Sequence, residues 1–354
     1  MSARLGPEPD DWSHACRVAI GLLIPGLALV VLGYPELIIY AVFGSFTGMY
    51  GRTGTRRSRL RHQAQAGAVL STAVGIGSFL SGNQAQPWIL VSTVTAFAFA
   101  GALVTTRLGL TPRGPFFGIF ALGATATVPA RVPPLAALSI CAGTVVFSVL
   151  IGLTVAGSAQ GPIAARCLRG WCGRGRQLSC SFVHAVRYAL AVLTAGAAGL
   201  LLGVDHANWA MASAAVPLAV ADTRSLLHPG IGSVVHRSLH RVGGTLAGLV
   251  VTAGLLQLHL GTTSLAVVVM VLLFPTELFM ARHYGLALGF FTPLIMVMTE
   301  LASPAEPATL LTARLVDTLI GVTAGIAASV VVRGPCRSGD DELRLTGFRR
   351  RPVG

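Results

Sequence analysis

The chain has 354 residues, of which 53% are hydrophobic and only 11% are charged, and its net charge is +13. A soluble chain normally carries about 25% charged residues to cover its surface, so this composition excludes an ordinary soluble protein. It also excludes a soluble nucleic-acid-binding protein, which would hold far more charge in total.

Apolar stretches recur along the whole chain, and most approach the ~20 residues that a helix needs to cross about 30 Å of hydrocarbon. We therefore predict an all-α integral membrane protein with about twelve transmembrane helices. The predicted spans are 15–32, 35–51, 64–80, 87–106, 115–128, 134–157, 185–203, 207–222, 242–258, 264–281, 284–299 and 308–332.

Arginine supplies all 26 basic residues, and its distribution predicts the orientation. With the N terminus inside, every arginine except Arg131 and Arg314 lies on or beside a cytoplasmic connection or tail, as in "GRTGTRRSRLRH" (51–62). Basic residues concentrate on the cytoplasmic side of membrane proteins. We therefore expect both termini in the cytoplasm.

The two halves of the chain resemble each other. The segments 16–36 and 186–206 align with Arg17 over Arg187 and Gly33 over Gly203. Six spans is an even number, so both copies start on the same side and form parallel repeats. The predicted divisions are a tail (1–14), a first six-helix repeat (15–157), a basic linker (158–184), a second six-helix repeat (185–332) and a basic tail (333–354).

No phosphate-binding GxxxxGK[ST] loop occurs, which excludes an ATP-driven pump within this chain, and no HExxH or GxSxG motif occurs either. The linker cysteines Cys167, Cys172 and Cys180 lack the paired spacing of a zinc site. His236 and His240 fit a basic helix start beside lipid headgroups better than a metal site. We predict no metal, no cofactor and no enzymatic activity.

Charged side chains inside a membrane are costly and usually functional. Three carboxyl groups at membrane depth are therefore candidates for proton coupling: Asp222 at the end of the eighth span, Glu277 in the tenth and Asp317 in the twelfth. A carboxyl group in a low dielectric holds a proton more readily than one in water.

Arg314 and Asp317 lie three residues apart, on one face of the last span. Two interpretations stay open. The two residues can form a structural ion pair, which lowers the cost of both charges. Alternatively, Arg314 binds an organic anion and Asp317 competes for the same guanidinium, so that proton entry is linked to substrate release. We assign substrate binding to Arg314 because it is the only arginine with no aqueous loop close by in sequence.

Three further residues are candidate substrate contacts. Trp209 follows an outer loop. Two interpretations of it stay open, an aromatic anchor at the membrane interface and a substrate contact. Arg241 begins the ninth span in "RVGGTLAG", and its default interpretation is a side chain that extends to the headgroups. Phe291 lies in the eleventh span, which is short and interrupted like the fifth, and paired broken spans indicate a transporter's binding site.

The second half resembles the FUSC family, the fusaric-acid-resistance-like members of the aromatic acid exporter superfamily. The family pattern has a tryptophan after the outer loop, an R-V-x-G-T helix start, a tyrosine before the eleventh span and R-x-x-D-T-x-x-G in the last one. In this sequence the pattern falls within residues 185–333, on Trp209, Arg241-Val242-Gly244-Thr245, Tyr284 and Arg314-Asp317-Thr318-Gly321.

The resemblance implies a bacterial inner-membrane exporter of small aromatic or other organic acids, drugs or secondary metabolites, driven by the proton gradient. Its partners would be the lipid bilayer and a small organic anion or amphipathic substrate, with no nucleic acid, and assembly into a homo-oligomer is left open. A passive anion channel is the alternative, because malate-type channels are related at fold level and an arginine-lined pore would suit one. A membrane enzyme or a non-transporting assembly partner is the third hypothesis. The lack of a nucleophile–base pair argues against it.

Overall fold

A computed structural model describes residues 8–52, 55–112, 114–154, 174–203, 207–219 and 231–332, with 174–180 and 231–233 described by their backbone alone. Within these ranges the regular structure is entirely helical. The twelve α-helices are α1 (Pro9–Val31), α2 (Ile38–Ser45), α3 (Arg56–Gly82), α4 (Pro87–Leu108), α5 (Phe116–Thr127), α6 (Pro134–Thr154), α7 (Arg174–Leu201), α8 (Ala207–Leu218), α9 (Ile231–Gln257), α10 (Thr262–Met280), α11 (Tyr284–Ala302) and α12 (Pro307–Val331). Short 3₁₀ turns at Pro35–Leu37 and Phe46–Met49 flank α2.

Nine of these helices in the described part of the chain are long and apolar enough to cross a membrane, which makes this a multi-pass membrane protein. The other three, α2, α5 and α8, have 8, 12 and 12 residues and fall short of a full crossing. The prediction of an all-α membrane protein is confirmed, whereas the number of complete crossings is not fixed at twelve.

The short apolar helices are surrounded by protein and not by lipid. Every residue of α2 and of α8 is buried. In α11, 78% of the most apolar window is buried inside the protein, against 33–44% for the other long helices. The helices α2, α5, α8 and α11 therefore form the centre of the molecule.

The long outer helices present apolar side chains on their outer faces. Val250 of α9 is 74% exposed, and Leu150 of α6 and Val271 of α10 are exposed as well. Exposed apolar surface on this scale would not be stable in water, so these faces contact the lipid bilayer.

The same helix contacts occur in both halves. In the first half α1 packs on α2 and α6, α3 packs on α5 and α6, and α2 packs on α6. The contacts of α7–α8, α7–α12, α9–α11, α9–α12 and α8–α12 repeat this arrangement six helices later. The contacts between the halves are also paired. The contact of α1 with α10 corresponds to that of α4 with α7, and the contact of α2 with α11 corresponds to that of α5 with α8.

The ends of the first helix in each half also match. Gly33 after α1 and Gly203 after α7 both adopt a left-handed backbone, with φ of 83° and 68°. Glycine suits this conformation, which ends a helix. The matched ends agree with the alignment of segments 16–36 and 186–206, while the division of the chain into two repeats stays a prediction.

Arginines stabilise the ends of α6 and α12, the last helix of each half. Arg59 donates from Nη1 to the Gly152 carbonyl at 2.9 Å, and Arg187 donates from Nε to the Val332 carbonyl at 2.7 Å. The final carbonyls of a helix lack partners within the helix and carry partial negative charge, so a guanidinium stabilises them.

Four helices begin at least six residues before the predicted spans. They are α1, which starts at Pro9 with Asp10 and Asp11 in its first turn, α3 at Arg56, α7 at Arg174 inside the predicted linker, and α9 at Ile231. A search for apolar stretches does not detect polar first turns, because these turns precede the membrane part of the helix. Several predicted features lie outside the described residues. They are the rest of the predicted linker with Cys167 and Cys172, the tail 333–354, and Asp222.

Single cysteines, in a variant that lacks the 6 native ones, test the predicted orientation. Cysteines at the exposed positions Gly82 and Thr262 should react with a membrane-impermeant thiol reagent in intact cells. A cysteine at Ser58 should react only after the cells are permeabilised. Labelling at Ser58 in intact cells would reverse the orientation.

Candidate functional site

The contact between α8 and α12 is unusually close, because α12 presents glycines to α8. A Cβ atom added at Gly321 would lie 2.6 Å from the Cβ of Ser213, and one at Gly325 would lie 2.6 Å from the Ala214 carbonyl oxygen. Real side chains essentially never approach that closely, so the two backbones meet where the glycines are. The contact brings α8 against the face of α12 that carries Arg314 and Asp317.

Arg314 is buried, with 1% of its surface exposed, and its guanidinium carbon lies 5.1 Å from the centroid of the Trp209 ring. Its Nε and Nη1 atoms have no hydrogen-bond partner. A guanidinium over the face of an indole is attracted by the ring's quadrupole, but that attraction does not replace the missing acceptors. Trp209 is fully buried, so it is not an anchor at the lipid interface.

Asp317 is fully buried, and neither of its carboxylate oxygens has a hydrogen-bond partner. The ion pairs among the described residues all lie elsewhere, and none joins Asp317 to Arg314. The structural ion pair that the sequence left open is therefore absent in this state, because Arg314 faces Trp209 of α8. The two opposite charges share a helix face without making contact.

Arg241 of α9 is also buried, with 1% exposed, and it does not reach the headgroups. It lies ten residues after the first residue of α9, which corresponds to ~15 Å of helix. Its Nη2 donates to the Ser213 hydroxyl at 3.3 Å, whereas Nε and Nη1 have no partner. Its guanidinium lies 5.8 Å from the Phe116 ring centroid and is within electrostatic range of Arg314.

A third arginine completes the arrangement. Arg237, one helical turn before Arg241, lies 3.9 Å from the centroid of the Tyr284 ring at the start of α11. Tyr284 is itself within electrostatic range of Arg314. We call Arg237, Arg241 and Arg314 the arginine cluster. Each of its guanidinium groups lies over an aromatic ring from another helix.

The arginine cluster is rich in hydrogen-bond donors and poor in acceptors. At least one guanidinium nitrogen of each of the three arginines is buried without a partner. A guanidinium can only donate, and each unsatisfied buried group costs about 1–3 kcal/mol, or more when it is charged. One carboxylate, that of Asp317, lies near Arg314. This arrangement can bind an anion.

Phe291, a predicted substrate contact, belongs to an aromatic core shared by the 3₁₀ turn after α2, by α5 and by α11. Its ring centroid lies 6.1 Å from that of Phe46 and 6.2 Å from that of Phe120. Phe120 stacks on Phe116, and the Arg241 guanidinium lies over the Phe116 ring. Two rings, those of Phe120 and Phe116, thus separate Phe291 from the Arg241 guanidinium.

Glu277 lies apart from Arg314 and Asp317, and contacts α1 instead. Its Oε2 atom is 3.4 Å from Nε2 of His14. Asp222, the third predicted proton-coupling residue, is outside the described residues. Of the predicted site residues, Arg314, Trp209, Arg241 and Asp317 come together.

Arg237, Ser213 and Phe116 belong to the site but were not predicted. Arg237 and Arg241 are four residues apart in "HRSLHR" (236–241) and share a helix face, which is a signal that the sequence contains. The contribution of Phe116 depends on a contact between α5 and α9 that no local pattern reports. Among the residues that the structure describes, no group of three or more His, Cys, Asp or Glu could hold a metal ion.

Comparison with known proteins matches most of the second half to one family. The sequence profile of the family described as fusaric acid resistance protein-like matches residues 190–328, which confirms the resemblance over that range. An uncharacterized membrane protein, YvaC of Bacillus subtilis (strain 168), is 24% identical over 151 residues. That match covers 42% of this chain and 23% of YvaC, so the match spans about a quarter of that relative's length. No solved structure matches the chain.

The close contact of α8 and α12 predicts that Gly321→Ala destabilises the protein by about 1–3 kcal/mol, because the added methyl group separates the two helices. Gly254→Ala in α9 is the matched control, since no atom lies within 4 Å of its added Cβ. Thermal unfolding in detergent measures both variants. Equal melting temperatures for the two would contradict the backbone contact.

Proposed function

Starting from a second half that is fusaric acid resistance protein-like over residues 190–328, we propose that this protein is a proton-coupled exporter of small aromatic and other organic acids. It would act in the bacterial inner membrane. The observation that carries the proposal is the arginine cluster, whose buried guanidinium groups lack acceptors and lie over aromatic rings.

The charge of the cluster supports an anionic substrate. Arg241 and Arg314 repel each other inside the protein, and among the described residues the nearby carboxylate of Asp317 makes no ion pair with either. Buried charge without compensation is costly in a membrane protein and is usually retained for function. A carboxylate ligand has two oxygens that can accept hydrogen bonds from the free guanidinium nitrogens.

The surroundings of the cluster support an aromatic or amphipathic substrate. Trp209, Phe116 and Tyr284 present ring faces next to the three guanidinium groups. An aromatic acid would pack its ring against such surfaces while its carboxylate binds the arginines. A small inorganic anion would leave the apolar surfaces unused.

The depth of the site supports alternating access from the two sides. Arg314 and Asp317 lie seven and ten residues after Pro307, which corresponds to ~10 and ~15 Å along α12. Binding sites of repeat-built transporters lie near the middle of the bilayer, at the interface of the repeats. Burial of both residues describes an occluded site.

Asp317 is the proposed link between the substrate and a proton. Its ionised carboxylate attracts the Arg314 guanidinium and so competes with a bound anion. Protonation removes that competition and frees Arg314 to hold the substrate, whereas loss of the proton favours substrate release. Protonation of Asp317 and binding of the anion to Arg314 would thus be coupled at neighbouring groups on α12.

A passive anion channel is the alternative, and it would use the same arginines. Occlusion favours a transporter, because a conducting pore needs a continuous aqueous path past Arg314 and Arg241, both of which are buried. We propose a transporter and not an enzyme, since the described groups around Arg314 include no nucleophile paired with a base.

We predict that Arg314→Gln weakens binding of benzoate by about 10–100-fold, since a charge-assisted hydrogen bond contributes about 1.5–3 kcal/mol. Uptake of labelled benzoate into proteoliposomes measures this as a rise in KM. Arg131→Gln, on an exposed connection, is the matched control and should change nothing. Equal effects of the two substitutions would remove Arg314 from the site.

We predict that Asp317→Asn still exchanges external for internal benzoate but no longer accumulates it in response to a pH gradient. The amide cannot bind and release a proton, although it leaves Arg314 in place. An uncoupler should likewise abolish accumulation by the parent protein. Accumulation that survives the uncoupler would contradict proton coupling.

A further inference from the structure

A second group of buried charges lies where α1 meets α10, on the side predicted to face the cytoplasm. Asp11, 2% exposed, pairs with Arg52 in the connection before α3 and with Arg282 in the connection between α10 and α11, the latter at 2.6 Å. Arg282 also pairs with Glu8 at 2.8 Å. These ion pairs join three parts of the chain.

Inside this group lies the pair formed by His14 and Glu277, which are 4% and 3% exposed. Nε2 of His14 is 3.4 Å from Oε2 of Glu277, and Nδ1 of His14 is 3.3 Å from Nη2 of Arg17. A guanidinium can only donate, so Nδ1 must accept from Arg17. The ring proton of a neutral His14 is therefore on Nε2, facing the Glu277 carboxylate.

Glu277 still has capacity for a proton. Its second oxygen, Oε1, is buried and has no hydrogen-bond partner. Among the described residues, Arg17 contacts His14 and Arg52 is within electrostatic range of Glu277. The charged groups around these two arginines are Glu8, Asp10, Asp11, Arg59 and Arg282. Arg52 makes its ion pair with Asp11.

We propose that the His14–Glu277 pair is a proton-binding site on the cytoplasmic route, with Arg17 as the residue that positions His14. This proposal rests on the proposed function as a proton-coupled exporter. The added proton binds to the pair, whose charge changes from −1 to 0, and no other bond forms or breaks. Because Nε2 already carries the ring proton and Arg17 occupies Nδ1, the added proton binds to the Glu277 carboxylate.

The connection between α10 and α11 links this pair to the arginine cluster. Arg282, which is bound to Asp11, lies two residues before Tyr284, which lies over Arg237. Neutralising Glu277 removes a negative charge that attracts Arg52, and so changes the balance of the ion pairs that Asp11 makes with Arg52 and Arg282. A shift of this connection would be passed directly to Tyr284 and the arginine cluster.

Two assays on one preparation test the proposal. In proteoliposomes at equal pH on both sides, His14→Gln and Glu277→Gln should exchange benzoate within about twofold of the parent rate. In a pH gradient, both should lose more than nine-tenths of the accumulation. His236→Gln, an exposed histidine on α9, is the matched control and should retain both activities.

The outcomes separate the two proposals. No benzoate exchange by the parent protein would refute the proposed function, whereas gradient-driven accumulation by both glutamine variants would overturn the proton site alone. Loss of exchange together with accumulation in both variants would show a structural pair and also overturn it.

Arg17→Gln decides the matter if the glutamine variants do not fold, because it leaves the pair intact. Removing the Arg17 cation lowers the electrostatic cost of adding a proton to the pair, so the pH profile of accumulation should shift upward by about one pH unit. An unchanged pH profile would overturn the proposal.

Discussion

Gly321 and Gly325 bring the backbone of α12 against α8, and the candidate site depends on that contact. The contact places Trp209 beside Arg314 and leaves Asp317 without a partner, although the two charged residues share one helix face. A larger residue at either glycine would separate the helices and admit other partners. Close packing of small residues therefore creates a site in which charge is present but not neutralised.

In the part of the chain that the structure describes, buried charge without compensation occurs at two places, and each is costly in a different way. In the arginine cluster, positive groups lack acceptors, which favours an anion. Between α1 and α10, Glu277 keeps one unpaired oxygen beside a histidine, which favours a proton. A proton-coupled transporter of organic acids requires sites of these two kinds.

The sequence predicts the membrane class, the family resemblance and four residues that meet in the site, because each leaves a local signal. Arg314 stands out since a charge in an apolar span has few explanations. The sequence does not predict that α2 and α8 are short and buried, because hydropathy cannot distinguish contact with lipid from contact with protein. His14 and Glu277 are distant in sequence, and only the packing of α1 on α10 brings them together.

The central claim is that a carboxylate binds to Arg314 beside Trp209. The chain has 4 tryptophans, and replacing the other three with phenylalanine leaves Trp209 as the only indole fluorophore. In this variant, benzoate should change the fluorescence of Trp209 saturably, whereas the neutral amide of the same ring should not. The response should disappear in Arg314→Gln. An equal response to the amide, or a response that survives loss of the guanidinium, would contradict the claim.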